Sequence, residues 1–281
     1  MRASKALLYS FLLVLLLGAC SMVRLAYDNA DSYLRWRLAS YLDVHGEASD
    51  ELDAAIERFL GWHRARALPQ YARLAEDAAS RVARGVSPED LLWGYDSLVA
   101  QARESLRAGA AELAPLLKRL DAAQIAHIEA RFAEDNRRFE RDFLRGSEAE
   151  RRERRARRIV ERLEVWVGTL SQAQKERVRM YSASTPLLAE MRGRENRRLQ
   201  AALLEQLRVP AALEQRLPEL AAHWDRQRDP AYAAALADGR GQLFALLLDL
   251  ERSLEPRQRA RAVAELRRYA GEFERLAERA Q

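Results

Sequence analysis

Apolar residues in this chain recur at steps of three and four, and no stretch alternates in the way a half-buried strand requires. Leu91, Tyr95, Leu98, Ala102 and Leu106 make one stripe, and Ile125, Ile128, Phe132, Phe139 and Phe143 make a second. Ala262, Leu266, Tyr269, Phe273 and Leu276 make a third. Each stripe lies on one side of a helix, so each is expected to be a buried face.

Polar and special residues divide this pattern into seven or eight helices. The first is expected from about Val23 to Leu42, with a turn from Gly46 to Ser49, where the second begins. Pro69 is expected to kink that second helix and Gly85 to end it. Ser87-Pro88-Glu89 supplies a hydroxyl cap, a proline suited to the first helical position and an acid facing the helix dipole. Ser147 with Glu150 reads as a capping box. Later breaks fall near Ser182 to Pro186, Val209-Pro210, Arg228 to Pro230 and Glu255-Pro256.

Composition agrees, because Ala, Leu, Arg and Glu dominate while Thr169 and Thr185 are the only threonines. The fold class is therefore all-α. No linker is long or Gly/Ser-rich, which favours a single bundle-like domain over two.

A weak repeat runs through the helices. Leu120-Asp121 with Gln124, Leu170-Ser171 with Gln174, and Leu254-Glu255 with Gln258 share a leucine, a polar residue and a glutamine three positions further on. Such a polar residue can accept from an early helical N–H while the glutamine reaches back to the cap, so helix starts are the expected role. Glu255 is the poorest cap, offset by Pro256, and only Leu120 has an obvious apolar staple partner, Ile125. A cap of this kind contributes about 1 kcal/mol.

The N-terminus carries a different signal. Arg2 and Lys5 precede an apolar run from Ala6 to Leu17, and Leu17-Gly18-Ala19-Cys20 closes it. This resembles a bacterial lipoprotein signal: small residues before a cysteine that receives acyl chains after cleavage. The run is about 12 residues, against roughly 20 for a spanning helix. Residues 1–19 are then a signal peptide and residues 20–281 a helical periplasmic domain anchored through Cys20. Ser21 stands where an aspartate would favour inner-membrane retention, so the periplasmic face of the outer membrane is expected. Cys20 is the only cysteine, and lipidation would consume its thiol, leaving the mature chain without disulfides, thiolate metal sites or cysteine nucleophiles.

Charge narrows the partners. Losing Arg2 and Lys5 with the signal lowers the net charge from +5 to about +3, and almost all basic residues are arginines. Nucleic acid is not an expected partner, since no segregated basic face with stacking groups is evident. The densest feature, Arg151, Arg152, Arg154 and Arg155 with Arg157 and Arg158, is expected to be the solvated face of a helix paired with Glu148, Glu150 and Glu153. The alternative role for those forks is to engage phosphate or carboxylate groups of an anionic envelope polymer or lipid.

Catalytic signatures are sparse. His45, His63, His127 and His223 form no HExxH, no serine sits in a GxSxG elbow, and no metal or cofactor is expected beyond the lipid on Cys20. Trp62-His63 and His223-Trp224 are expected as packed aromatic pairs, or as one shared pocket if the fold brings them together. Glu104-Ser105 resembles the dipeptide of lytic transglycosylases, which would make the chain an envelope glycan-cleaving enzyme, but the glycine-rich sequence that follows it in those enzymes is missing.

Two further resemblances remain, one carried by the repeats and one that covers most of the mature chain. The leucine–glutamine repeats are similar to the LTxxQ elements of periplasmic Spy/CpxP-type chaperones. Val23 to Asp31 and Leu34-Arg35-Trp36, followed by Trp62-His63-Arg64 and Leu68-Pro69-Gln70-Tyr71, resemble blocks of an uncharacterised family of proteobacterial lipoproteins. In that family another glutamine-bearing helix start follows Leu42-Asp43, whereas here Val44-His45-Gly46 intervenes. The family likeness implies a label and no activity; with catalytic signatures sparse, the expected role is non-enzymatic binding or structure, with envelope proteins or unfolded chains recognised through helix surfaces as the leading form.

Overall fold

The computed structural model describes residues 27–278, and Cys20, the segment 1–19 and Val23 to Ala26 lie outside them. The chain is a multi-helix all-α protein, with no strand among the described residues. The helices are α1 (Ala30–Leu42), α2 (Glu47–Trp62), α3 (Leu68–Arg84), α4 (Pro88–Leu117), α5 (Ala122–Phe143), α6 (Glu148–Val167) and α7 (Gln172–Ser184). They continue as α8 (Ala189–Arg208), α9 (Leu213–Ala222), α10 (Pro230–Arg252) and α11 (Pro256–Glu278).

The helix after the first turn begins at Glu47, two residues before Ser49, because Gly46 takes φ 56 and lets the chain turn directly into it. Pro69 neither breaks nor ends the helix. Instead α2 passes into α3 through a π turn, His63–Ala67, in which the Leu68 N–H donates to the His63 carbonyl five residues back. Proline has no N–H and its ring presses on the carbonyl four positions earlier, so one widened turn is the cheapest accommodation. Ser87 caps α4 as expected, with Asp90 completing the box and taking ion pairs from Arg81 and Arg84.

Three apolar clusters hold the helices together. The first joins α2, α4, α5, α8 and α9 through Leu52, Ile56, Leu117, Ile128, Leu207 and Leu213. In the second, α11 runs along α3 and the π turn, with Tyr269, Phe273 and Leu276 against Leu68 and Tyr71, and Trp166 tilted against Tyr269 with ring centroids 5.2 Å apart. In the third, α6, α7 and α10 meet around Ala156, Val178, Leu246 and Leu250. The stripe on α11 and the first part of that on α5, Ile125, Ile128 and Phe132, are therefore core faces, while Phe139 and Phe143 stack on each other under Arg192. The stripe on α4 is only partly covered: its Tyr95 and Leu98 are each 41% exposed, and Leu92 beside them 46%, because the helices that bury α4, α2 and α9, cover its C-terminal half.

No helix among the described residues is long and apolar enough to cross a membrane.

Candidate functional site

The leucine–glutamine repeats are helix starts that meet in pairs. Asp121 with Gln124 and Ser171 with Gln174 form full capping boxes, and Gln258 accepts from the Glu255 N–H at 3.1 Å. Beyond its own cap, each of the last two glutamines reaches into the other copy. Gln174 Nε2 donates to the Ser253 carbonyl at 3.0 Å and to Gln258 Oε1 at 2.9 Å. Gln258 Nε2 donates to the Thr169 carbonyl at 2.9 Å and to Gln174 Oε1 at 3.1 Å. Thr169 and Ser253 each precede the leucine of their copy, so a local two-fold relation holds the starts of α7 and α11 together. Each amide has two donors and two acceptor positions, and all are used. Both side chains are nearly inaccessible, Gln174 at 2% and Gln258 at 4%. A glutamate here would supply no donors and would bury a charge against its mate.

Gln124 makes the same reach toward the degenerate copy, donating to the Leu42 and Asp43 carbonyls at 3.3 Å each. No glutamine answers it, since Gly46 stands in that place. A cleft of about 230 Å³ opens at this one-sided junction, lined by Val44, Glu51, Leu116, Arg119 and Gln124.

Two of the four candidate anion-binding arginines are turned inward rather than solvated. Arg152 Nη1 donates to the carbonyls of Ser182, Ala183 and Thr185, while its Nε and Nη2 hold Glu148. Arg155 donates to Ser182 Oγ and to the carbonyls of Ser182, Thr185 and Pro186. These are the orphan carbonyls at the C-terminal end of α7 and in the turn that follows, where positive charge is also favoured by the helix dipole. Desolvation pushes the Arg155 guanidinium below its ordinary pKa. Arg151 faces Glu190 at 3.4 Å, and Arg154 donates to the Arg145 carbonyl.

The exposed part of the α4 stripe lies beside α10. Phe244 meets Tyr95 edge-on at 6.4 Å, the Arg240 guanidinium covers the Tyr95 ring at 4.7 Å, and Leu243 next to Phe244 is also exposed. Sequence periodicity marked the stripe but could not say that Tyr95 and Leu98 stay exposed.

Against known proteins, the model of a family of unknown function, DUF6279, matches residues 40–232, more than half of the chain. The chain belongs to that family. The DUF6279 match starts in the last turn of α1 and ends in the first turn of α10. It takes in the Leu42, Leu120 and Leu170 copies of the repeat, while Gln258, the partner of Gln174, lies beyond its end. No curated protein and no solved structure is similar enough to count as a match.

The remaining chemistry-bearing residues are scattered. Glu104 is exposed on α4, while its neighbour Ser105 is buried and hydrogen-bonded to the Tyr71 hydroxyl at 3.1 Å. The two aromatic–histidine pairs sit in different surroundings. His223 Nδ1 faces the Glu219 carbonyl at 3.1 Å, and Trp224 lies under Arg103 at 5.7 Å. His63 is buried in the π turn among Tyr27, Phe59, Trp62 and Tyr71. No group of three or more His, Cys, Asp or Glu among the described residues is placed to hold a metal ion.

Burial, helped by Arg64 nearby, pushes the His63 pKa from 6.5 down to about 4. The folded ring is therefore neutral, suited to accept from the Tyr27 hydroxyl at Nδ1, 3.1 Å away. Between pH 6.5 and 4 the unfolded chain binds the extra proton, so this stability is complete above pH 6.5 and is lost as pH falls. By pH 5 the loss is about 2 kcal/mol. Urea denaturation at pH 7.5 and pH 5 is expected to show that extra drop in wild type relative to His63→Phe. Equal drops in the two proteins would contradict a buried neutral ring.

Proposed function

We propose that the chain is a lipid-anchored, non-enzymatic binding protein of the bacterial envelope that holds unfolded polypeptide on the apolar ledge of α4. The observation that carries this reading is the exposure of Leu92, Tyr95 and Leu98 along one helical stripe. Leu92, Tyr95 and Leu98 of α4 lie beside Leu243 of α10, a grouping of exposed apolar side chains rather than scattered ones, and a two-helix ledge of this kind suits apolar side chains of a chain that has lost its own core.

The anchor rests on Leu17-Gly18-Ala19-Cys20 and the short apolar run before it, which favour acylation and retention at the periplasmic face of the outer membrane. The likeness of the repeats to LTxxQ elements of periplasmic chaperones supports a polypeptide client. The glycan-cleaving alternative gains less support, since Glu104 is exposed on α4 and does not line the cleft beside Gln124.

The test is suppression of aggregation of a chemically unfolded model protein. Wild type is expected to delay aggregation at near-stoichiometric amounts, and Leu92→Glu with Leu98→Glu to abolish the delay while changing stability by no more than about 0.5 kcal/mol, as exposed sites allow. Equal suppression by both proteins, or none by wild type, would reject the reading.

A further inference from the structure

Tyr33 and Trp36 project from the outer side of α1 with their rings 6.1 Å apart, and at 44% and 54% exposure they are among the most exposed aromatic side chains described. Trp36 is the only exposed tryptophan of the five. Leaving about half of two neighbouring rings in water forgoes part of the burial gain that aromatic side chains of this size offer.

The opposite side of α1 fixes this orientation. Arg37, Tyr41 and Leu42 are buried. The Tyr41 hydroxyl donates to the Asp135 carboxylate on α5, and Arg37 Nη2 reaches both Tyr41 Oη, at 2.6 Å, and Asp135, at 3.4 Å. Leu34 and Leu38 pack against the first apolar cluster. Rolling α1 to hide Trp36 would pull this buried set apart. Arg35 is held by Asp53 at 2.5 Å, and it lines, with Asp31 and Asp50, the cleft of about 590 Å³ between α1 and α2. The charges of α1 are thus engaged on its flank.

We infer that Tyr33 and Trp36 form an interfacial foot that seats α1 in the headgroup region of the membrane carrying the acyl chains of Cys20. The inference rests on the lipid-anchor reading above. Tyr33 lies thirteen residues beyond Cys20, so even a fully extended connection holds it within about 45 Å of the anchor. Rings with an apolar body and a polar edge partition to the boundary between headgroups and acyl chains, where the indole N–H and phenol O–H stay hydrated. A second contact of this kind adds to the acyl anchor and sets which way up the helical body stands on the membrane. Because the contact is aromatic, it does not require anionic lipid and persists in high salt.

The test uses the full chain, isolated with its acyl groups and reconstituted into phosphatidylcholine vesicles whose acyl chains are brominated near the headgroup. Acyl labelling and vesicle flotation are measured on the same material, with Cys20→Ala as the unlabelled control. Bromolipid is expected to quench wild-type tryptophan fluorescence, and Trp36→Phe to reduce that quenching at least threefold, with no change in 1 M salt. Labelled, floating protein with equal quenching in wild type and Trp36→Phe would overturn the foot while leaving the anchor intact. Wild type that carries no acyl label would overturn the anchor reading, and the foot with it.

Discussion

Gln174→Ala is expected to destabilise the protein by about 3 kcal/mol, well beyond the loss of an ordinary cap. Truncation removes the acceptor for the Ser171 N–H and both donors from Nε2, so the Ser253 carbonyl and both ends of the Gln258 amide lose a partner. Unmade hydrogen bonds of buried groups cost about 1–3 kcal/mol each before relaxation, and several are unmade at once. Gln258→Ala strands the same junction from the other side. The double variant is therefore expected to cost less than the sum of the singles, with a coupling of about 1–2 kcal/mol. Gln124→Ala is the internal comparison: its cap is exposed and its two cross-copy bonds are long, so about 1 kcal/mol is expected. Urea denaturation of wild type and these four variants reads all of this. A Gln174→Ala cost near 1 kcal/mol, additive with Gln258→Ala, would reduce the paired amides to independent caps.

This contrast marks where sequence reading reaches its limit. The local half of each box was legible, because a polar residue followed three positions on by glutamine specifies a helix start whatever surrounds it. The pairing was not, because Gln174 and Gln258 are 84 residues apart in sequence and nothing local distinguishes a glutamine that only caps from one that also grips a second turn. The apolar stripes show the same division. The α11 stripe and Ile125, Ile128 and Phe132 of the α5 stripe became core because helices lie over them, whereas Tyr95 and Leu98 of the α4 stripe stay exposed, with Leu92 beside them. Periodicity names a face and leaves its covering to the tertiary arrangement. Pro69 was recognised as a disturbance, and the form it takes, a π turn that presents His63 to an aromatic cluster, depends on α3 having α11 to pack against.

Arg152→Gln with Arg155→Gln is expected to cost about 3 kcal/mol, where a solvated helix face would have cost almost nothing. The two guanidiniums donate to the carbonyls of Ser182, Ala183, Thr185 and Pro186, groups that no helical N–H can serve once α7 has ended. Ser182 Oγ in turn donates to the Arg152 carbonyl at 2.7 Å, locking α6 to the end of α7. Hydrogen bonds from a charged donor contribute about 1.5–3 kcal/mol each, and the partial exposure of this turn lets water recover some of them. Glutamine keeps helix propensity but has one amide where arginine has a five-donor fork, so it cannot span two carbonyls. Arg151→Gln with Arg154→Gln supplies the matched control, and less than about 1 kcal/mol is expected, since Arg151 meets the exposed Glu190 and the Arg145 carbonyl that Arg154 serves is open to water. Arg155→Lys separates charge from geometry: the ammonium retains the dipole interaction but cannot form the fork, so less than half of the stability should return. If the Arg152, Arg155 pair cost no more than the Arg151, Arg154 pair, the guanidiniums would be ordinary surface charge, free to meet an anionic ligand. If the asymmetry holds, any anion that approaches this helix must find arginines other than these two.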